Sequence, residues 1–129
     1  MEKEINKEEL ENFIKNGVTI IDVRSKQEYK EGHLNGAISI PEYEIKEKIK
    51  NIIKNKDEKI LVYCSSGLRS KHAQEELINL GYKNVYNLKD GIVCYWDFLF
   101  AMLKYVWQNV KQNMEEIWIV DKNTLEILV

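Results

Sequence analysis

Cysteine is scarce in this chain: 129 residues hold two, Cys64 and Cys94, far apart and in no CxxC pair. That excludes a disulfide framework, and with two histidines elsewhere it argues against a zinc site. Net charge is nearly absent as well, −2 from 19 basic and 21 acidic side chains. No basic patch carries interleaved aromatics, so no nucleic-acid partner is expected. Long apolar runs are missing. Ile92 to Leu103 comes nearest, is broken by Asp97, and falls short of the roughly 20 residues that span a bilayer. No membrane partner is expected either. Nor is there an internal repeat or a low-complexity tract. Met1-Glu2-Lys3-Glu4 is charged and leads into no apolar segment, so no secretory signal is expected. A reducing cytoplasm with free thiols is the expected setting.

What is present is a regular alternation. Apolar, β-branched runs at Val18–Val23, Lys59–Tyr63 and Asn84–Leu88 read as buried strands, with shorter ones at Glu2–Ile5 and Ala37–Ile40. Between them lie helical patterns. Asn6 and Glu9 open one as a capping box, Ser25 and Glu28 open a second, and Ile45, Ile49, Ile52 and Ile53 stripe a third. A fourth runs from Ser70 to Leu80, with Gly81 as its stop. Strands alternating with helices imply a parallel sheet covered on both faces, an α/β fold. After Gly91 the pattern changes. One helix is expected from about Val93 to Gln112. A β-hairpin is expected beyond it, from Glu116–Val120 and Leu125–Val129 around a polar turn.

The chemistry concentrates at Cys64-Ser65-Ser66-Gly67-Leu68-Arg69-Ser70, between the end of a strand and the start of a helix. Open α/β sheets place their ligands there. Unpaired N–H groups at a helix start favour an anion, here the thiolate of Cys64 over the thiol. Gly67 lets the loop bend, and Arg69 adds a permanent cation. Arg69 either faces the bound anion or braces the loop through a carboxylate such as Asp22. Ser65, Ser66 and Leu68 are expected to act through backbone N–H groups more than through side chains.

At these residues the chain resembles the rhodanese (sulfurtransferase) family. Ile21-Asp22-Val23-Arg24, Glu28-Tyr29 and Gly32-His33-Leu34-Asn35-Gly36-Ala37 are similar to the family's first signature. Cys64 to Ser70 fits its Cys-x-x-Gly-x-Arg-Ser loop, and Gly91-Ile92 through Trp96 is like its closing segment. The resemblance implies a doubly wound domain on a five-stranded parallel sheet, over residues 1–96, with 97–129 as an extension. It implies that Cys64 takes a sulfane sulfur from thiosulfate or another persulfide, small or protein-borne. It implies that this sulfur passes to a thiol or a cyanide-like acceptor, with no cofactor and no metal. Asp22, Arg24 and His33 are then expected to support the loop, with His33 hydrogen-bonded to backbone. His72 is expected to be solvated. Cys94 is expected as a packed thiol, with a resolving role for it as the alternative.

Many thiosulfate-using members carry basic residues just after the cysteine, whereas Ser65 and Ser66 are neutral. Two other readings stay open. One is a rhodanese-like phosphatase, although such enzymes place five residues between cysteine and arginine and this chain has four, Ser65 to Leu68. The other is a non-catalytic partner-binding module. Aromatic density after Gly91 also raises a homodimer formed through the extension.

Overall fold

The computed structural model describes residues 3–117, and side chains for 3–113. Five strands alternate with five α-helices: β1 (Lys3–Ile5), α1 (Leu10–Lys15), β2 (Thr19–Asp22), α2 (Lys26–Glu31), β3 (Ile38–Ser39), α3 (Ile45–Ile52), β4 (Lys59–Tyr63), α4 (Leu68–Asn79), β5 (Asn84–Leu88) and α5 (Gly91–Ile117). A single 3-10 turn, Glu42–Glu44, leads into α3. All strand pairs are parallel, in the order β1-β5-β4-β2-β3. The parallel α/β sheet expected from the alternation forms, in the doubly wound five-stranded arrangement that the resemblance implies.

Side chains in a strand alternate between faces. Ile21, Ile60, Val62 and Val85 therefore share one face, where they pack with Ile45 and Ile49 of α3 and Ala73 and Leu77 of α4 in a single buried cluster. Ile20, Leu61 and Tyr86 stand in register on the other face. There Phe13 of α1 meets Tyr86 edge-on, ring centroids 4.7 Å apart. Burying each β4 side chain stabilises the sheet by about 1.5–3 kcal/mol for the larger apolar residues.

The chain winds outward from β2 to β3 on one side of the sheet and outward from β4 to β5 on the other. The order reverses between β2 and β4, so a crevice opens beyond their C-terminal ends. Cys64 follows β4, and Asp22 ends β2.

Three local expectations shift. The turn at Asn6 forms, its Oδ1 accepting the Glu9 N–H at 3.0 Å, but the helix starts later, at Leu10. The helix after the cysteine starts at Leu68, two residues before Ser70, because Gly67 takes the N-cap place with φ of 97°. Finally, Glu116 and Ile117 belong to α5 and not to a hairpin strand. No glycine or proline follows Gly91, and Gln112, Met114, Glu115 and Glu116 favour a helix, so nothing in the sequence stops it there. The rest of the expected hairpin lies outside the described residues. The chain divides into two units, one ending at Tyr95 and one beginning at Trp96.

Candidate active site

The loop is built from its backbone outward. β4 delivers Cys64 to the sheet's C-terminal edge, fully buried. Gly67 turns the chain through a left-handed conformation that L side chains rarely adopt. That turn aims two amides inward: Gly67 N–H donates to Cys64 Sγ at 3.1 Å and Ser70 N–H at 3.3 Å. Ser70 Oγ lies 3.3 Å from the same sulfur. Burial strips the sulfur of water, and these N–H groups at the N-terminal end of α4 supply hydrogen bonds in its place.

The outer side of the loop is held by the start of α5. Ile92 N–H donates to Cys64 O (2.9 Å) and Val93 N–H to Ser65 O (3.3 Å). Asp90 and Gly91 enter that helix with φ of 64° and 75°. A Cβ on Gly91 would overlap the carbonyl of Ser65. Two helix starts thus divide the loop's polar groups, α4 serving the sulfur and α5 the carbonyls.

Arg69 is engaged by a carboxylate. Its Nη1 and Nη2 form a fork on Glu28 of α2, at 2.7 and 3.0 Å from Oε1 and Oε2. Ser65 Oγ donates to Glu28 Oε2 at 3.0 Å, and Ser25 Oγ donates to Oε1 at 3.1 Å. The Arg69 hydrogen bond is the main cause that holds the Glu28 carboxyl near 2, below its ordinary 4.5. The carboxylate that braces the loop is therefore Glu28, where the sequence suggested Asp22. Ser65 also acts through its side chain, while Ser66 and Leu68 stay exposed.

Asp22 is already occupied. Arg24 Nη2 donates to its Oδ2 at 2.8 Å, and the Arg24 backbone N–H donates to Oδ1 at 2.9 Å. Tyr63 Oη donates to Oδ2 at 2.7 Å and accepts from Leu34 N–H at 3.1 Å. Burial, followed by the hydrogen bond to Asp22, pushes the Tyr63 hydroxyl well above its usual range. Arg24 Nη2 also donates to Gly32 O, tying the loop after α2 to this buried network. His33 Nδ1 sits 2.7 Å from Tyr29 O and its ring stacks on Tyr29 with centroids 3.7 Å apart. His72 stays exposed, as expected, and pairs at the surface through Nδ1 with Glu42 at 3.0 Å. Both line a groove of about 330 Å³ with Leu68, Arg69, Lys71 and Glu75. Cys94 is a free thiol, partly buried. Among the described residues no His/Cys/Asp/Glu group could hold a metal ion.

The sequence singles out Cys64 and its loop, with Asp22, Arg24 and His33 as supports; the contacts of Asp22 and Arg24 lie in the buried network beside the loop, and those of His33 are to Tyr29. Sequence reasoning missed Glu28, Tyr63 and Gly91 as parts of the site. Glu28 had a signal, since an acidic residue after β2 is carried to the same sheet edge as Arg69. Its capping role explained it locally and hid the longer contact.

The sequence profile of the rhodanese-like domain family matches residues 6–97. The chain is similar to the thiosulfate sulfurtransferase PspE of Escherichia coli, 42% identical over 73 residues, covering 54% of this chain and 70% of that protein. It is 32% identical over 93 residues to a tRNA uridine(34) hydroxylase of Photorhabdus laumondii, covering 68% of this chain. It spans only 26% of the length of that relative. Among solved structures it resembles a rhodanese-related protein from Thermoplasma volcanium, with TM-score 0.67 and 36% identity. That likeness covers 74% of this chain and 91% of the other.

Proposed function

The chain belongs to the rhodanese-like domain family, and from that premise we propose a sulfurtransferase that carries sulfane sulfur as a persulfide on Cys64. The observation that carries this reading is the cradle: Gly67 and Ser70 N–H groups both donate to Cys64 Sγ. A buried sulfur held by two amides is poised as a thiolate nucleophile. It attacks the outer sulfur of a donor R–S–S⁻. A bond forms from Sγ to that sulfur, the donor's S–S bond breaks, and R–S⁻ leaves with its electron pair. An acceptor thiolate or cyanide-like nucleophile then attacks the terminal sulfur and Cys64 leaves as thiolate. No net oxidant or reductant is needed, and no cofactor enters. The cycle requires a reduced Cys64, which suits a reducing compartment such as the cytoplasm.

The donor favoured is a persulfide on a small thiol or a protein, over thiosulfate. Ser65, Ser66 and Leu68 bring no charge, and the Arg69 fork is taken by Glu28. A dianion therefore gains little from this loop, although the similarity to PspE supports thiosulfate as a second donor. A phosphatase needs its loop arginine on the phosphate, and that same occupied fork weighs against it.

Incubation with a donor panel followed by intact-protein mass spectrometry tests the reading. One added sulfur on the wild type, with none on Cys64→Ser and the fold unchanged by circular dichroism, is the expected result. Substantial transfer by Cys64→Ser would remove Cys64 from the mechanism. A wild type left unmodified by every donor would favour a partner-binding module.

A further inference from the structure

Helix α5 carries apolar residues at Trp96, Phe100, Leu103, Trp107 and Val110, in alternating steps of four and three. Phe100, Leu103, Trp107 and Val110 are 72%, 68%, 50% and 43% exposed. An apolar repeat averaging 3.5 residues keeps one stripe in contact with a neighbouring helix along a left-handed pair. Exposed on a single helix, the stripe gains nothing from that spacing.

The flanks decide which partner fits. With Phe100 and Trp107 at a positions and Trp96, Leu103 and Val110 at d, the e positions are Asp97, Lys104 and Lys111. The g positions are Leu99, Val106 and Asn113. In a parallel pair g faces e, which sets Leu99 and Val106 against lysines and pairs no charges. In an antiparallel pair e faces e and g faces g. Layering Phe100 on the second copy's Leu103, and Trp96 on its Trp107, sets Asp97 opposite Lys104 of that copy. Twofold symmetry makes the contact twice, and it sets Leu99 against Val106 twice on the other flank. Within one chain Asp97 and Lys104 lie two turns apart, about 10 Å along the axis, too far to pair.

We propose that α5 docks on α5 of a second copy of this chain as an antiparallel pair. The seam is apolar, one flank is apolar, and the other carries two symmetry-related Asp97–Lys104 pairs.

Sedimentation equilibrium of the full chain over a range of concentrations tests this. A dimer is expected, and Leu103→Asp should abolish it while sulfur transfer persists. Asp97→Lys and Lys104→Glu should each weaken it roughly tenfold, by trading two attractions for two repulsions. The double variant Asp97→Lys/Lys104→Glu should restore the wild-type affinity, because the swapped charges meet again across the interface. Four results would each overturn the proposal: a wild type monomeric at every concentration, a dimer that survives Leu103→Asp, a double variant weaker than either single one, and a monomeric wild type that sediments with anionic phospholipid vesicles. The last would assign the stripe to a lipid surface.

Discussion

Two carboxylate–arginine forks flank the cysteine loop, and they differ in reach and in depth. Asp22 and Arg24 stand two residues apart in sequence, and their side chains are 0% and 4% exposed. Glu28 and Arg69 stand 41 residues apart, with side chains 31% and 39% exposed. The buried fork answers to its neighbours: Tyr63 and the Leu34 N–H close it off, and Gly32 O accepts from Arg24 Nη2 as well. The half-exposed fork joins two elements that nothing local brings together, α2 and the first turn of α4. Burial makes the first fork a condition of folding. Reach makes the second a fastening of the loop on which Cys64 sits.

Removing one partner of the buried fork is the harshest way to test that contrast. Asp22→Ala leaves Arg24 and the Tyr63 hydroxyl without their acceptor in a dry site. A loss of about 3–5 kcal/mol is expected, read as a lower urea midpoint at unchanged slope. Activity per folded molecule should change less than stability does. A variant as stable as the wild type would show that the pair is not desolvated as its burial indicates.

The loop's other fastening contains no charge, and Gly91→Ala probes it. The new methyl meets the backbone of Ser65 and Ser66, which is not a flexible side-chain end. Either the loop or the start of α5 has to move, and positive φ at this position adds strain for alanine. About 1–3 kcal/mol of stability should go, together with most of the persulfide formed on Cys64. Retained transfer at wild-type rate would mean that α5 does not set the loop.

The difference between the forks also explains what the sequence made legible. The strands, Cys64 and the turn at Gly67 are local: a β-branched run, a glycine and a following helical stripe suffice to find them. Asp22 was visible as the polar end of an apolar strand. Its proximity to Arg24 in sequence was visible too, yet Arg69 was assigned to Asp22 as readily as to the anion. Spacing carries no information about which of two acidic residues an arginine 41 to 47 positions away will reach. Tertiary placement decides it: Asp22 is taken up by Arg24 and Tyr63, and α2 sets Glu28 within reach of Arg69. Gly91 carries no local sign of its role for the same reason, since its close approach to Ser65 is between residues far apart in sequence. At the far end, the apolar, β-prone run Trp118-Ile119-Val120 draws Glu116 and Ile117 into an expected strand, while the preceding helix formers carry the helix through them.

Glu28→Gln separates fastening from anion binding with the smallest expected change in stability. Glutamine keeps the shape and one acceptor, so one serine bond can survive as it is and the other hydroxyl can turn to accept from the amide NH2, while the charge on Arg69 goes unanswered. The fork is about a third exposed, so water screens it and no more than about 1 kcal/mol should be lost. If Arg69 serves to hold the loop, transfer should fall several-fold with every donor. If Arg69 instead serves an anionic donor, freeing it should raise the rate with thiosulfate relative to a neutral persulfide, which would overturn the assignment. The pH dependence supplies an independent reading. Glu28 is held near 2 against an ordinary 4.5, so between these values the unfolded chain binds more protons than the folded one. The fork's contribution is complete above about pH 4.5 and drains away as pH falls toward about 2. The stability gap between the wild type and Glu28→Gln should therefore narrow over that window in paired urea titrations, other titrating groups being common to both. A gap that stays constant down to about pH 2 would mean that Glu28 carries no depressed titration, and that its contact with Arg69 is not the charge pair the geometry describes.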